Sequence, residues 1–323
     1  MIKIALCFII NYQHILEKEE IWKKWILYNK DIINVYFFYK EKEKIKSSWI
    51  KNNCIPKSYI KPTDYYHIIP AYIGLIKYAL VHDTQNTWFC FLTDSCVPII
   101  HPLYFRYLFF TNYNKSIFSW SNVSWNTNFI KRANLHLLNS SYHLKNTPYF
   151  IFTRKNVLLC LHFMNSNKEL FITISNGSIA NESLFAIILK NYNLLSEVIN
   201  QNSTITDWNR MQTPTSPYKF KEATLENINF IKTNKIKNKY SVFLRKIDNS
   251  FPNDILVNII FEKNINLKIY LLCKIYSFYF FIYHYSTFLF LSLLSLLSLL
   301  SLFLYIYYFH YYYFLLLPFM ITN

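Results

Sequence analysis

The sequence predicts an α/β fold: a doubly wound, mostly parallel sheet flanked by helices, with a hydrophobic helix at the C-terminal end. Three observations predict it. Unbroken apolar runs of strand length, KIALCFII from Lys3 and WFCFL from Trp88, suit strands buried on both faces of a parallel sheet. Segments with helical apolar spacing alternate with these runs, which is the order of a doubly wound domain. At Thr93 the chemistry then changes abruptly to Thr93-Asp94-Ser95-Cys96, small polar residues and one carboxylate. The carboxyl end of such a strand is where open α/β sheets place their ligand crevice.

Each element follows from its residues. Lys3–Ile10 is the first buried strand. It is too short for a signal peptide and has no small-residue cleavage site. Glu17–Tyr28 carries apolar residues at 21, 22, 25, 26 and 27, one face of a helix. Asp31–Tyr39 is the second strand, and Lys40–Lys46 is a solvated charged loop. Ala71–His82 is a helix that delivers the chain to Trp88–Leu92, expected as the central strand. Pro98 cannot donate to a ladder and stops that strand. Asp94 either lines the crevice or caps a helix near Pro102–Phe109. Ser116–Ser121 and Tyr149–Thr153 are further short strands, and a helix over Lys155–Met164 follows. Asn181–Lys190, NESLFAIILK, starts on a good cap residue and puts Glu182 in the first helical turn. There the helix dipole alone accounts for a carboxylate, worth under about 1 kcal/mol. Ser203–Trp208 and Lys239–Leu244 read as extended, with a short helix near Leu225–Ile231 between them.

Composition excludes several classes. Glycine occurs only twice, at Gly74 and Gly177. A P-loop and a GxGxxG turn both need glycines clustered within a few residues to bring backbone close to phosphate, and these two lie far apart, so any nucleotide must be held mainly by side chains. The net charge of +16 favours anionic partners, although a lysine-rich, AT-rich coding bias produces the same number. No basic patch is interleaved with RNA-reading aromatics, so a nucleic-acid-binding module rests on net charge alone and is not expected. The six cysteines form no CxxC pair, and in a chain this long they read as buried free thiols. There is no HExxH or other zinc spacing.

Six pieces, taken in order, carry a family resemblance: KIALCFIIN from Lys3, FCFLTDSCVPI from Phe89, KNTPYF over Lys145–Phe150, NESLFAIIL from Asn181, TDWNRMQTPTSPYKF over Thr206–Phe220, and FLRKI over Phe243–Ile247. Over about Ile2–Asp248 the chain resembles the core-2/I-branching glycosyltransferases, the Branch family, above all its plant-type and viral-type members. The resemblance implies a GT-A-like fold. It also implies inverting transfer of a sugar, GlcNAc or xylose, from a UDP-sugar to a hydroxyl of a glycan or protein acceptor.

Site residues follow from that resemblance. Most sugar transferases of this fold hold a divalent metal with Asp-x-Asp, and this sequence contains no Asp-x-Asp. The family is understood to neutralise the leaving diphosphate with basic side chains, so no metal and no cofactor are expected. Lys246 matches the family lysine, Arg245 stands beside it, and Arg210 is the second cation assigned to the phosphates. A solvated strand end is the alternative for Arg245 and Lys246. Glu182 matches the catalytic glutamate, with Asn181 where the family has Asp. Trp208 matches a tryptophan that stacks on a sugar, core packing being its alternative. Asp94, Ser95, Thr147 and Tyr149 are assigned to the donor and acceptor pocket. The family's Gly-Ser is Asn146-Thr147 here, and its His before proline is Ser216 before Pro217. These departures leave a catalytically degenerate, membrane-tethered binding protein of the same fold as the second reading.

Two units are expected, residues 1–265 as the transferase domain and residues 266–323 as a hydrophobic tail. No Asp, Glu, Lys or Arg follows Lys274, and Ser286–Phe303 includes LSLLSLLSLLSL. That uncharged run exceeds the roughly 20 apolar residues a spanning helix needs. Tyrosines follow it as in an interfacial belt, and Lys263, Lys268 and Lys274 precede it. The expectation is a membrane anchor with the globular part in the cytoplasm. The lumen of the Golgi or ER is the alternative, and Asn122 and Asn139 lie in sequons.

Overall fold

Strand length and apolar character build the main sheet. The computed structural model describes residues 2–211, 213, 216–262 and 292–304. By its contacts the chain falls into two units, Ile2–Tyr270 and Leu271–Asn323. In chain order the first unit contains β1 (Lys3–Ile9), α1 (Glu19–Leu27), β2 (Ile33–Phe38), α2 (Ser48–Asn52), α3 (Ile69–His82), β3 (Asn86–Thr93), β4 (Val97–Pro98), α4 (Pro102–Asn112) and β5 (Trp120–Asn122). It continues with β6 (Leu144–Asn146), β7 (Ile151–Thr153), α5 (Arg154–Ser166), α6 (Lys168–Ser175), α7 (Leu184–Asn191), β8 (Thr204–Thr206), α8 (Leu225–Lys237), β9 (Phe243–Arg245) and α9 (Asn253–Ile260). The four-stranded sheet has the order β2-β1-β3-β7. β1 runs parallel to both neighbours, pairing Ile4 with Ile33 and Cys7 with Phe91, and β7 closes the edge antiparallel, Trp88 opposite Thr153.

Because side chains alternate along a strand, the two faces of this sheet bury different residues. Ala5, Cys7, Phe89 and Phe91 join the core with Tyr72 and Leu75 of α3, Val157 of α5 and Phe185 of α7. On the other face Phe8 meets the Trp22 ring at 4.9 Å and Trp88 meets Phe109 at 5.3 Å. The indoles of α1 find partners there, Trp22 Nε1 donating to the Cys96 carbonyl at 2.9 Å and Trp25 Nε1 to that of Ile100 at 2.8 Å. Buried indole N–H groups would otherwise lose a hydrogen bond to water. Helices therefore cover both faces, and the fold is mixed α/β with sheets flanked by helices. The five cysteines among the described residues are free.

Several elements differ from their sequence reading. Pro98 leaves the β3 ladder but joins a second sheet, β4-β9-β8, opposite Phe243. α4 is capped by His101, whose Nδ1 accepts from Leu103 N at 3.1 Å, so Asp94 is not its cap. Asn181 caps nothing either: Ala180–Glu182 is a 3-10 turn and α7 begins after it, with no side-chain cap bond. The segment at 116–121 splits. Ile117 bridges to Ile151 and Ile199, and β5 starts at Trp120. α2, α6 and α9 had no sequence expectation.

In the tail, residues 292–304 form a helix with its leucines exposed. Ser295, Ser298 and Ser301 each donate to the carbonyl three residues back, at 2.7 to 2.8 Å. At a rise of 1.5 Å per residue this stretch is about 20 Å long, against roughly 30 Å of bilayer hydrocarbon. Among the described residues no helix is long and apolar enough to cross a membrane. The rest of the expected tail, 266–291 and 305–323, lies outside the described residues.

Candidate functional site

The parallel strands β1, β2 and β3 deliver their carboxyl ends to one place. There Asn11, Lys40, Asp94 and Ser95 line a cleft of about 480 Å³, whose far wall carries Tyr149, Glu182, Trp208, Arg245 and Lys246. A smaller lobe of about 230 Å³ continues from it, lined by Thr147, Thr204, Thr206, Asn234, Asn238 and Ser241. Tyr149, Glu182, Trp208 and Arg245 belong to both lobes. The joint volume falls in the range of small-molecule sites.

Sheet pairing explains why residues 94 and 245 meet. β9 lies between β4 and β8, with Leu244 opposite Val97 and Arg245 opposite Thr206. Ile247 N then donates to the Ser95 carbonyl at 3.0 Å, tying the end of FLRKI to the turn after β3. The Arg245 guanidinium stands 4.5 Å from the centre of the Tyr149 ring, and its Nε has no hydrogen-bond partner. Burial pushes the Asp94 carboxyl above the usual carboxylate range, against the pull of Arg245 and the backbone N–H groups of Asn11 and Ser95. Burial first, and then the neighbouring charges of Arg245 and Lys219, lower the proton affinity of Lys246. Two adjacent, partly desolvated cations repel each other, so an arriving anion relieves both.

Glu182 sits on the 3-10 turn before α7, its N–H held by the Ile179 carbonyl at 3.0 Å. Arg132 Nη2 donates to its Oε2 at 2.8 Å. The pair is mostly buried, with side-chain exposures of 17% and 24%. Burial raises the Glu182 pKa; Arg132, Arg245 and Lys145 oppose the rise without cancelling it. The result is a carboxylate that binds a proton more readily than an ordinary surface one.

Trp208 is 46% exposed, which removes core packing as its explanation and leaves a flat apolar wall open to both lobes. Arg210 lines neither lobe. Its Nε donates to the buried Asp207 at 2.7 Å, its Nη1 pairs with Glu226 at 2.9 Å, and its guanidinium lies 4.2 Å from the Tyr218 ring centre. Asp207 also accepts from the backbone N–H of Asn209 and Arg210. Arg210, assigned to the phosphates from the sequence, therefore stands apart from these lobes: Asp207 and Glu226 meet its charge, and it clamps the segment that carries Trp208.

Of the residues singled out in the sequence, Asp94, Ser95, Tyr149, Glu182, Trp208, Arg245 and Lys246 gather in the larger lobe and Thr147 in the smaller. Asn181 also lines the larger lobe, and so does Arg132, which the sequence did not single out. Arg132 lies in a stretch with no periodicity, and nothing in its neighbours marks it. Among the described residues no three His, Cys, Asp or Glu side chains converge as a metal would need.

No curated protein matches the chain significantly. The model of the Branch family, described as core-2/I-branching enzyme, matches residues 9–232, well over half of the chain, from the last residue of β1 into α8. The cleft at the strand ends, lined by cations and carboxylates, fits a group that transfers sugars from nucleotide donors. The chain belongs to the Branch, or core-2/I-branching enzyme, family of glycosyltransferases.

Proposed function

We propose that the protein is an inverting, metal-independent glycosyltransferase that moves a sugar, GlcNAc or xylose, from a UDP-sugar to an acceptor hydroxyl of a glycan or protein. The acceptor oxygen attacks the anomeric carbon from the face opposite the diphosphate. The carbon–oxygen bond to the diphosphate breaks, UDP carries away the electron pair, and the proton goes to Glu182. Arg245 and Lys246 neutralise the charge that grows on the diphosphate, the step at which preorganised charge contributes most. Trp208 stacks on the sugar or the acceptor. The observation that carries this reading is that Glu182, Trp208, Arg245 and Lys246 line one cleft at the strand ends. The absence of Asp-x-Asp from the sequence supports the metal-independent form.

UDP release from UDP-GlcNAc and UDP-xylose by the purified full chain tests it. Glu182→Gln, which keeps shape and loses basicity, is expected to lower turnover by about a hundredfold or more while UDP still binds. Full turnover in that variant contradicts the assignment. A second reading, a non-catalytic binding protein of the same fold, draws on the ion pair that occupies Glu182 and on Asn181 in place of an acidic residue. UDP-sugar binding with no turnover over a broad acceptor panel is its signature.

A further inference from the structure

A general base must be ionised before it can act, and this fold buries its base. What faces Glu182 comes from five places: Arg132 from the segment before β6, Lys145 from β6, Tyr149 from the β6–β7 link, Tyr72 from α3 and Arg245 from β9. Of these, only Arg132 touches it as an ion pair among the described residues, Nη2 to Oε2 at 2.8 Å. Arg132 is itself held from behind. Its guanidinium lies 4.3 Å from the Trp125 ring centre, and Lys145 approaches the same ring at 5.3 Å.

The backbone around this pair is unusual in a consistent way. Ile130, Lys131, Ala133 and Asn134 all have φ between 48° and 52°, and Ile179, three residues before Glu182, has φ 53°. Left-handed backbone is disfavoured for side-chain-bearing residues, and for β-branched isoleucine most of all. Such conformations persist where surrounding contacts hold them and they gather at functional sites. The contacts here are specific. Ala133 N donates to the Ser178 carbonyl at 2.8 Å, Ile179 N to that of Tyr66 at 2.8 Å, and Asn134 Nδ2 to that of Thr173 at 2.8 Å. Gly177 lets the two segments touch: a Cβ there would lie 2.3 Å from Asn134 N and 2.4 Å from Ala133 C. The strained turn before Arg132 and the turn before Glu182 are therefore fastened together as one unit.

We propose that Arg132 is a positioning residue for the transfer reaction: its ion pair fixes Oε2 of Glu182, keeps the buried carboxyl ionised, and leaves Oε1 to receive the acceptor proton. This rests on Glu182 being the base. Arg132 lines the same cleft and still has a buried Nε without a partner, so its hold on Glu182 is monodentate and leaves the second carboxylate oxygen unclaimed by the guanidinium. The sign of the pH effect follows. Burial raises the Glu182 pKa and Arg132 is the foremost group opposing it. Removing Arg132 raises that pKa further, so the base is ionised only at higher pH.

The test is the pH dependence of UDP release from UDP-GlcNAc and UDP-xylose by the full chain, for the unaltered protein, Arg132→Gln, Arg132→Lys and Glu182→Gln. In Arg132→Gln the acid limb of kcat is expected to move up by about one pH unit or more, the scale of an adjacent opposite charge. Turnover below the limb falls about tenfold and recovers towards high pH, while the donor KM stays within about twofold. Arg132→Lys keeps the charge and restores most of the limb position, which also serves if Arg132→Gln folds poorly. A lower rate with the limb unmoved in both variants, or a raised donor KM at unchanged kcat, overturns the inference. If Glu182→Gln retains full activity, the base assignment itself fails; if Glu182→Gln is inactive and the Arg132 variants leave the limb in place, only the role of Arg132 fails.

Discussion

Arg210 and Arg245 carry the same charge in opposite surroundings. Arg210 is met by Asp207 and Glu226, whereas Arg245 stands over the Tyr149 ring with Nε unpartnered and the cleft in front of it. A sequence displays the charge of an arginine but not what neutralises it, and that is why Arg210 read as a phosphate ligand. Asp207, three residues before it, was the signal that it would be claimed locally. The two roles separate in a pair of variants. Arg210→Ala leaves the buried Asp207 with only its backbone donors and is expected to cost on the order of 1–3 kcal/mol of stability, read by denaturant melts. Trp208→Ala, at a half-exposed position, is expected to leave the melting point nearly unchanged and to raise the substrate KM instead. A fall in stability for Trp208→Ala as large as that for Arg210→Ala would contradict this division.

At the level of elements, the strands were legible and the turns were not. β1 and β3 are built on unbroken apolar runs and β2 on one interrupted only by Asn34, with length and β-branched or aromatic content that leave little choice, and α1 and α3 follow from apolar spacing. The turn at Ala180–Glu182 was read as the start of a helix because Asn181 is a good cap residue; tertiary contacts use Asn181 otherwise, its carbonyl accepting from the buried Asn146 side chain at 2.9 Å. The turn that presents Arg132 depends on left-handed backbone and on a glycine more than forty residues away, neither of which leaves a periodic trace. That glycine gives a prediction of its own. Gly177→Ala forces the backbone at Ala133 and Asn134 to move, at a cost of about 1–3 kcal/mol as an overpacked position, and turnover is expected to fall with it. Thermal melts and UDP release measured on one preparation check this. An alanine tolerated with full stability and full turnover would show that the two turns need not touch.

For the whole molecule, a strongly basic chain with two glycines lines a cleft with side chains at the carboxyl ends of parallel strands, the site proposed for a nucleotide donor. The strand end that lines this cleft was legible, because the change from WFCFL to TDSC marks the carboxyl end of a buried strand. The far wall was named only through the family resemblance, because β9 and β8 are three residues each and come to the cleft through a second sheet, β9 pairing with β4 and β8 with β9. The central claim is that Arg245 and Lys246 hold a diphosphate without a divalent ion, in the cleft that Glu182 also lines. Calorimetric titration of the full chain with UDP in excess EDTA tests this most directly. The predicted result is binding that survives EDTA, weakens by about tenfold or more in Arg245→Ala and in Lys246→Ala, as for a lost charged hydrogen bond, and persists in Glu182→Gln. Binding that appears only when magnesium or manganese is added, or that is indifferent to both substitutions, would contradict it.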